Sequence, residues 1–100
     1  MNWAVQVLPD LTGLALSAGI TLLINHGFEF KTRTAGGYQT FAHPDGSVIH
    51  IRPTGEIVRT GPQMRGADGK TYRRRYDQFG NQIKFVPGAN THRTGEKLVL

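Results

Sequence analysis

The chain of 100 residues contains no cysteine. This absence excludes disulfide frameworks, thiol nucleophiles and thiolate zinc sites, and it leaves the redox compartment open. Any chemistry must therefore use imidazole, carboxylate, hydroxyl or amine groups. The chain is also short for a deep internal cavity, because a domain of this size buries only about 60–65% of its unfolded surface. We predict one domain, residues 1–100, with any functional site at its surface.

Basic residues are absent from the first thirty positions. All twelve Lys and Arg lie at or beyond Lys31, and only Asp10 and Glu29 carry charge before it. The net charge of the chain is +5. The segment from Lys31 onward has twelve basic and five acidic residues, so its own net charge is +7. This asymmetry indicates a polyanionic partner for that segment, which could be nucleic acid, an acidic protein or an anionic surface.

One long apolar run occupies residues 11–24, where hydrophobic side chains occur almost all round a predicted helix. Pro9 and Asp10 precede the run as a helix-start signal, and Asn25-His26-Gly27 follows it as a stop. We predict a buried helix packed on a sheet, within a mostly helical segment 1–30. The run is shorter than the roughly 20 residues that span a bilayer, and no basic residue precedes it as in a signal peptide. We therefore expect no stable membrane span, with membrane contact during delivery as the alternative.

Residues 38–100 are predicted to form a basic β-meander, because turn signals separate short extended segments. Pro44-Asp45-Gly46-Ser47 and Pro53-Thr54-Gly55 supply the fixed and positive φ angles of tight turns. The predicted strands, after a possible short strand at 28–30, cover residues 38–43, 48–52, 56–60, 71–76 and 82–86. The predicted fold class is α+β, an N-terminal helix packed on a small antiparallel β-meander of four or five strands.

Two stretches are predicted as loops. Residues 61–70 hold three glycines and two basic residues, which favours a mobile loop over a ligand. The tail, residues 87–100, has little apolar pattern and is predicted as a loop that ends in a short strand at 98–100.

Alternation of side chains along the predicted strands collects the basic residues on one face. In the segment 48–52 the isoleucines point to one face, whereas His50 and Arg52 point to the other. If the apolar residues of every strand face the helix, the same far face also carries Arg73, Arg75 and Lys84. The register of the strand 56–60 stays open, because either Ile57 or Val58 could point inward.

Histidine and arginine are the residue types that could carry chemistry. His43, His50 and His92 could supply the base and the acid for phosphoryl transfer on RNA, because histidine titrates near neutral pH. Cationic side chains match phosphate oxygens, so the candidates for substrate binding are Arg52, Arg73, Arg75 and Lys84. The histidines and carboxylates do not occur at the spacings typical of metal ligands. We therefore predict a reaction that uses no metal and no cofactor.

Each candidate also has a plainer interpretation. His43 precedes a proline and could stabilise a turn, and His26 is best interpreted as a cap at the end of the helix. Arg73-Arg74-Arg75 could be a solvated strand, although alternation forces two of its three side chains onto one face. Tyr72 and Tyr76 are better explained as core residues than as base-stacking platforms.

Two stretches resemble a known family. They are His43-Pro-Asp-Gly-Ser47 with Ile49-His-Ile-Arg-Pro-Thr-Gly-Glu-Ile-Val-Arg59, and Asp68-Gly-Lys-Thr-Tyr-Arg-Arg-Arg-Tyr-Asp77. Both are similar to the C-terminal toxin domains of bacterial polymorphic toxins, the effectors of contact-dependent inhibition and Rhs-type systems. Many of these domains resemble the ribonuclease fold of barnase, the tRNA-cutting colicins and RelE-like toxins.

The resemblance implies a metal-independent endoribonuclease, with tRNA as one candidate substrate. Such a toxin is secreted from the producing bacterium, acts in the cytoplasm of a target cell and is neutralised at home by an acidic immunity protein. It implies an acid/base pair drawn from His43, His50 and His92. The implied phosphate-binding residues are Arg52, Arg73, Arg75 and Lys84.

Two alternatives stay open. Tyr76-Asp-Gln-Phe-Gly-Asn81 also resembles the Tyr-Asp repeat of Rhs shells, which would make the chain a piece of carrier. Against that, the repeat occurs once, whereas shells need many repeats. The second alternative is a non-catalytic basic β-module that binds RNA or an acidic partner protein.

Overall fold

Six antiparallel strands follow one another in the sheet in the order in which they occur along the chain. The structure is a computed structural model that describes residues 2–84 and 94–100. Its elements are α1 (Ala4–Val7), α2 (Leu16–Asn25), β1 (Glu29–Arg33), β2 (Gln39–Ala42), β3 (Val48–Ile51), β4 (Ile57–Arg65), β5 (Thr71–Tyr76) and β6 (Gln82–Ile83). The predicted α+β class is confirmed, with six strands instead of four or five.

The five hairpins between β1 and β6 close through the same kind of five-residue turn. In the β2–β3 turn, for example, the His43 N–H donates to the Ser47 carbonyl and the Gly46 N–H donates to the His43 carbonyl, both at 2.9 Å. The fourth residue of each turn is a glycine with φ between 81° and 96°, a region that other residues rarely adopt. These glycines are Gly37, Gly46, Gly55, Gly69 and Gly80.

The core lies on one face of the sheet, under the N-terminal segment and α2. Phe41, Ile49 and Ile51 project from the sheet toward buried residues of these elements, which are Val5, Leu8, Leu11, Leu23 and Phe28. The register of β4 is now fixed. Ile57 pairs with Ile51 and faces the core, so Val58 points the other way.

The helix begins later than predicted, at Leu16 instead of residue 11. Gly13 has a φ of +84°, and its N–H donates to the Lys97 carbonyl. Ala15 then forms a parallel bridge with Val99, so this stretch pairs with the tail before the helix starts. The tail makes isolated bridges at Lys97 and Val99 instead of the predicted strand at 98–100. No helix within residues 2–84 and 94–100 is both long enough and apolar enough to cross a membrane.

A buried ion pair joins the core face of β4 to the tail. The side chains of Arg59 and Glu96 are 0% and 1% exposed, and Arg59 Nη2 lies 2.6 Å from Glu96 Oε2. Arg59 also donates to three carbonyls of the N-terminal segment, those of Val5, Leu8 and Pro9. With its Nε donating to Glu96 Oε1, all five N–H groups of this guanidinium are bonded.

Strand β4 passes through the stretch that was predicted as a mobile loop. It continues to Arg65, and only residues 66–70 form a turn, so the loop prediction for 61–70 is wrong. The pairing skips between Thr60 and Gln63, and Gly61 and Pro62 lie opposite the single residue Arg74. This β-bulge accommodates a proline inside the strand, which regular pairing would exclude.

Candidate functional site: a basic cleft on the outer face

The outer face is the face of the sheet opposite to the core, and His50 lies near its centre. His50 pairs with Thr40 of β2 on one side and with Val58 of β4 on the other. Its Nδ1 lies 3.1 Å from the hydroxyl oxygen of Thr40. The outer face also carries, from β4 and β5, Thr60, Arg73 and Arg75.

Two arginines meet His50 in an open cleft of about 230 Å³. Its lining residues are Tyr38, His50, Arg52, Val58 and Arg75. The Arg52 guanidinium carbon lies 5.8 Å from the centroid of the Tyr38 ring, within reach of a cation–π contact. Arg75 is held toward β4 because its Nη1 donates to the Thr60 hydroxyl oxygen at 2.6 Å. The structure thus brings together the predicted site residues His50, Arg52 and Arg75.

The charges in the cleft act on one another. Burial lowers the pKa of the His50 imidazole, and the positive charges of Arg75 and Arg73 lower it further. The pKa of Arg75 is also lowered, first by burial and then by Arg52 and Arg73. Arginine nevertheless stays protonated at neutral pH. The cleft therefore combines a neutral imidazole with crowded guanidinium charges that an anion would stabilise.

One donor of a cleft-lining residue has no partner within the described part of the chain. The Arg52 Nε atom is buried and makes no hydrogen bond. A buried donor without a partner is unfavourable by about 1–3 kcal/mol, so such atoms are rare in folded proteins. The atom has almost no exposed surface, so a ligand oxygen would reach it only after the Arg52 side chain shifts.

Arg73 lies next to the cleft, beyond Arg75. Its Nη1 contacts the carbonyl oxygens of Gly46 and Gly61, each at 3.4 Å. It lines a second open cavity of about 370 Å³ that also includes Arg75. Arg73 is therefore on the predicted face, one cavity away from His50.

Lys84 does not join this group. The sequence pattern predicts Lys84 on the outer face, because it predicts that Ile83 faces the core. The register instead pairs Ile83 with Arg75, so that Ile83 is the residue beside Arg75 on the outer face and Lys84 follows just after β6. His92 lies outside the described residues, as do residues 85 and 86 of the strand predicted at 82–86.

His43 lies on the other side of the sheet from His50, so the two cannot act as an acid/base pair. Its ring makes an edge contact with the core residue Phe28, with centroids 5.2 Å apart. Its Nδ1 accepts the Asp45 N–H at 3.0 Å. The position matches the plainer interpretation of His43 as a turn residue.

Asp45 ties the same turn to the N-terminal helix. Its Oδ2 accepts the Ala4 N–H at 2.7 Å and its Oδ1 accepts the Ser47 N–H at 2.7 Å. Burial alone would raise the pKa of this carboxyl, but the hydrogen bonds from Ser47 and Ala4 and the nearby His43 together lower it. His43 and Asp45 thus belong to the packing of the N-terminus and not to the cleft.

His26 was predicted to cap the helix, and this prediction is confirmed. It is the C-cap residue of α2, and its Nδ1 lies 3.0 Å from the Leu22 carbonyl oxygen. It is exposed and ends α2, which packs on the core face of the sheet and not on the outer face, so it is a useful control histidine.

Sequence reasoning missed the neutral residues of the cleft. Val58 lines the cleft because it pairs with His50, and Thr40 and Thr60 contact the lining residues His50 and Arg75 through their hydroxyls. Tyr38 reaches it from the turn before β2. These residues could be predicted only if the pairing register of the strands were known, and the sequence does not determine the register of β4. Within residues 2–84 and 94–100, no three histidine or carboxylate side chains cluster as a metal site would require.

Comparisons with protein-family models, curated proteins and solved structures give no match to this chain. Its function is therefore inferred from the cleft itself.

Proposed function

We propose that the outer-face cleft binds the phosphodiester backbone of RNA and cleaves it without a metal ion, by attack of the adjacent 2′-hydroxyl. One observation carries the proposal: a half-buried imidazole with a lowered pKa shares a cleft with the guanidinium groups of Arg52 and Arg75. A neutral imidazole is a competent general base, and guanidinium groups match the charge of a phosphate.

In the proposed reaction, His50 acts as the base. When its Nδ1–H donates to Thr40, the lone pair of Nε2 is available to accept the proton of the 2′-hydroxyl. The 2′-oxygen then attacks phosphorus, and the 5′-oxygen leaves with a proton from a general acid. Arg52 and Arg75, whose guanidinium groups line the cleft, stabilise the extra negative charge of the phosphorane.

The general acid of this proposal is not His43, which lies on the core side. Tyr38 lines the cleft and carries a hydroxyl, which makes it the candidate among the described residues. His92 keeps its predicted role only as a proposal, since it lies outside the described residues.

The test is incubation of purified protein with a single-stranded RNA in EDTA. The proposal predicts fragments that end in a 2′,3′-cyclic phosphate, and no cutting where the 2′-hydroxyl is replaced by hydrogen. His50→Gln should lower the rate by about 100-fold or more, the usual contribution of a general base. His26→Gln and His43→Gln should keep the rate of correctly folded protein, and they serve as matched controls.

Two outcomes would overturn the proposal. If RNA stays intact but shifts on a gel, the protein is a non-catalytic RNA-binding module. If His50→Gln cuts RNA as fast as the unchanged protein, the cutting does not depend on this cleft.

We further propose that this activity serves a secreted toxin that acts in the cytoplasm of a target bacterium and is neutralised at home by an acidic immunity protein. The excess of positive charge after Lys31 supports an acidic partner. Expression in a bacterial cytoplasm should stop growth, whereas expression of His50→Gln should not. Equal growth arrest by both proteins would contradict the toxin proposal.

A further inference from the structure

The β-bulge in β4 decides which side chains extend the outer face beyond the cleft. Without it, strict alternation from Thr60 would point Gln63 and Arg65 toward the core side. Because Gly61 and Pro62 together occupy one position opposite Arg74, Gln63 pairs with Arg73 and Arg65 pairs with Thr71 on the outer face. The bulge thus adds an arginine to this face that the sequence pattern did not predict.

Three outer-face arginines now follow one another away from His50. Arg75 borders the cleft, Arg73 comes two residues earlier on β5, and Arg65 lies opposite Thr71 near the end of the hairpin. Alternate residues of a strand are about 7 Å apart, the order of the distance between successive phosphates of a nucleic acid strand. The second cavity, of about 370 Å³, connects this row to the cleft through their shared residue Arg75.

The row of charge leaves the cleft in one direction only. Toward β1, among the described residues, no outer-face pair carries an unpaired cation: Thr32 lies opposite Thr40, Ala42 lies opposite Val48, and Glu29, which also pairs with Ala42, is anionic and bonded to Lys31. A bound polyanion would therefore be held from His50 toward the β4–β5 hairpin and would find no matching row on the other side.

We infer that Arg75, Arg73 and Arg65 form a track for the successive phosphates of an extended single strand that enters the cleft from one side. The position of the scissile bond relative to this track depends on the proposed function. The binding of a single strand along the track does not depend on it. A single strand fits because a phosphodiester must enter a recess beside half-buried His50. The stiff, convex backbone of a duplex cannot follow such a recess.

Binding tests the track without any cleavage. The probes are fluorescein-labelled oligodeoxythymidylates of two, four, six and eight nucleotides, which lack the 2′-hydroxyl, and a hairpin duplex of similar length. Affinity for the single strands should rise steeply up to about four or five nucleotides and then level off, and the duplex should bind more weakly. Equal binding of duplex and single strand would overturn the inference.

The salt dependence of binding shows which arginines contact phosphates. Each phosphate contact of a single strand contributes about 0.7 to the slope of log K against log salt. Arg73→Gln and Arg65→Gln should each lower the slope by about that amount. Arg74→Gln is the matched control, because it removes the same charge from the opposite face of β5. If Arg74→Gln changes the slope as much as the other two, there is no track.

A cleavage experiment separates this inference from the proposed function. Lengthening a minimal RNA substrate at one end should raise kcat/KM several-fold, whereas lengthening the other end should not. If no RNA is cut but the slopes fall as expected, the proposed reaction fails and the track stands. If RNA is cut but Arg65→Gln and Arg73→Gln keep the full slope, the reaction stands and the track fails.

Discussion

The two faces of the sheet treat arginine in opposite ways. On the core face, Arg59 is fully buried, and each of its N–H groups has a protein acceptor. On the outer face, Arg52 lies beside a second arginine, and its buried Nε–H has no acceptor within the described residues. Arg52 follows directly after β3, and Arg59 lies in the neighbouring strand β4.

The difference between Arg59 and Arg52 distinguishes a stabilising role of the core face from a binding role that we propose for the outer face. The bonds of Arg59 end on Glu96 and on carbonyls of the N-terminal segment, so this arginine joins three distant parts of the chain and stabilises the fold. The like charges of Arg52 and Arg75 repel each other, and this repulsion adds to the effect of burial in lowering the pKa of Arg75. Mutual repulsion does not stabilise a fold, but it does favour the binding of an anion.

The largest expected effect follows from breaking the buried pair. Glu96→Ala leaves the Arg59 charge buried without its partner, which should lower the free energy of unfolding by about 3–5 kcal/mol. Urea denaturation measures this loss. Arg75→Gln, on the outer face, should change the free energy of unfolding by much less. If the two substitutions are equally destabilising, the two faces do not differ as described.

An intermediate effect is expected from a change of shape without a change of charge. Arg52→Lys keeps the positive charge but removes the Nε–H and the planar fork. Hydrogen bonds to charged groups contribute about 1.5–3 kcal/mol, so affinity for a single-stranded oligonucleotide should fall by about tenfold or more. Fluorescence anisotropy measures this, with Arg74→Lys as the control. Unchanged binding by Arg52→Lys would mean that only net charge matters on the outer face.

The smallest expected effect is the change of the cleavage rate with pH. The direction of this change follows from the lowered pKa of His50. A base must be deprotonated, so kcat/KM for RNA should rise with pH, with a midpoint below the ordinary histidine pKa of 6.5, and then level off. A midpoint at or above 6.5 in the pH–rate profile would contradict the burial of a neutral His50.

Stability should respond to the same group. Between pH 6.5 and the lower pKa in the folded state, the unfolded chain binds the His50 proton first. The free energy of unfolding should therefore fall slightly as the pH drops through that range, and His50→Gln should remove this part of the fall. If His50→Gln leaves the dependence of the unfolding free energy on pH unchanged, His50 is not held neutral in the folded protein.

Much of the fold could be predicted, because its turns are encoded locally. Glycines at the turn positions and alternation in 48–52 predict the strands and the outer-face placement of His50 and Arg52. The predicted strand 71–76 coincides with β5. The later start of α2 could not be predicted, since it depends on pairing of Gly13 and Ala15 with tail residues that are 84 positions later in the sequence.

The site was only partly predictable for a related reason. A β-bulge shifts the alternation by one residue, so the outward position of Arg65 depends on where pairing skips. The inward position of Arg59 depends on Glu96, a residue that no local pattern connects with β4. The prediction that Lys84 lies on the outer face was wrong for the same reason, because its face depends on the pairing register of β6 with β5.

The most direct test of the difference between the two faces is the NMR signal of the arginine Nε–H groups during titration with a non-cleavable single-stranded oligonucleotide. The Arg52 Nε–H, which lacks a protein acceptor, and the ring of His50 should shift strongly as the complex forms. The Arg59 Nε–H, already bonded to Glu96, and the Arg74 Nε–H should stay in place. Shifts confined to Arg59, Arg74 or α2, with Arg52 and His50 unmoved at saturation, would contradict the account.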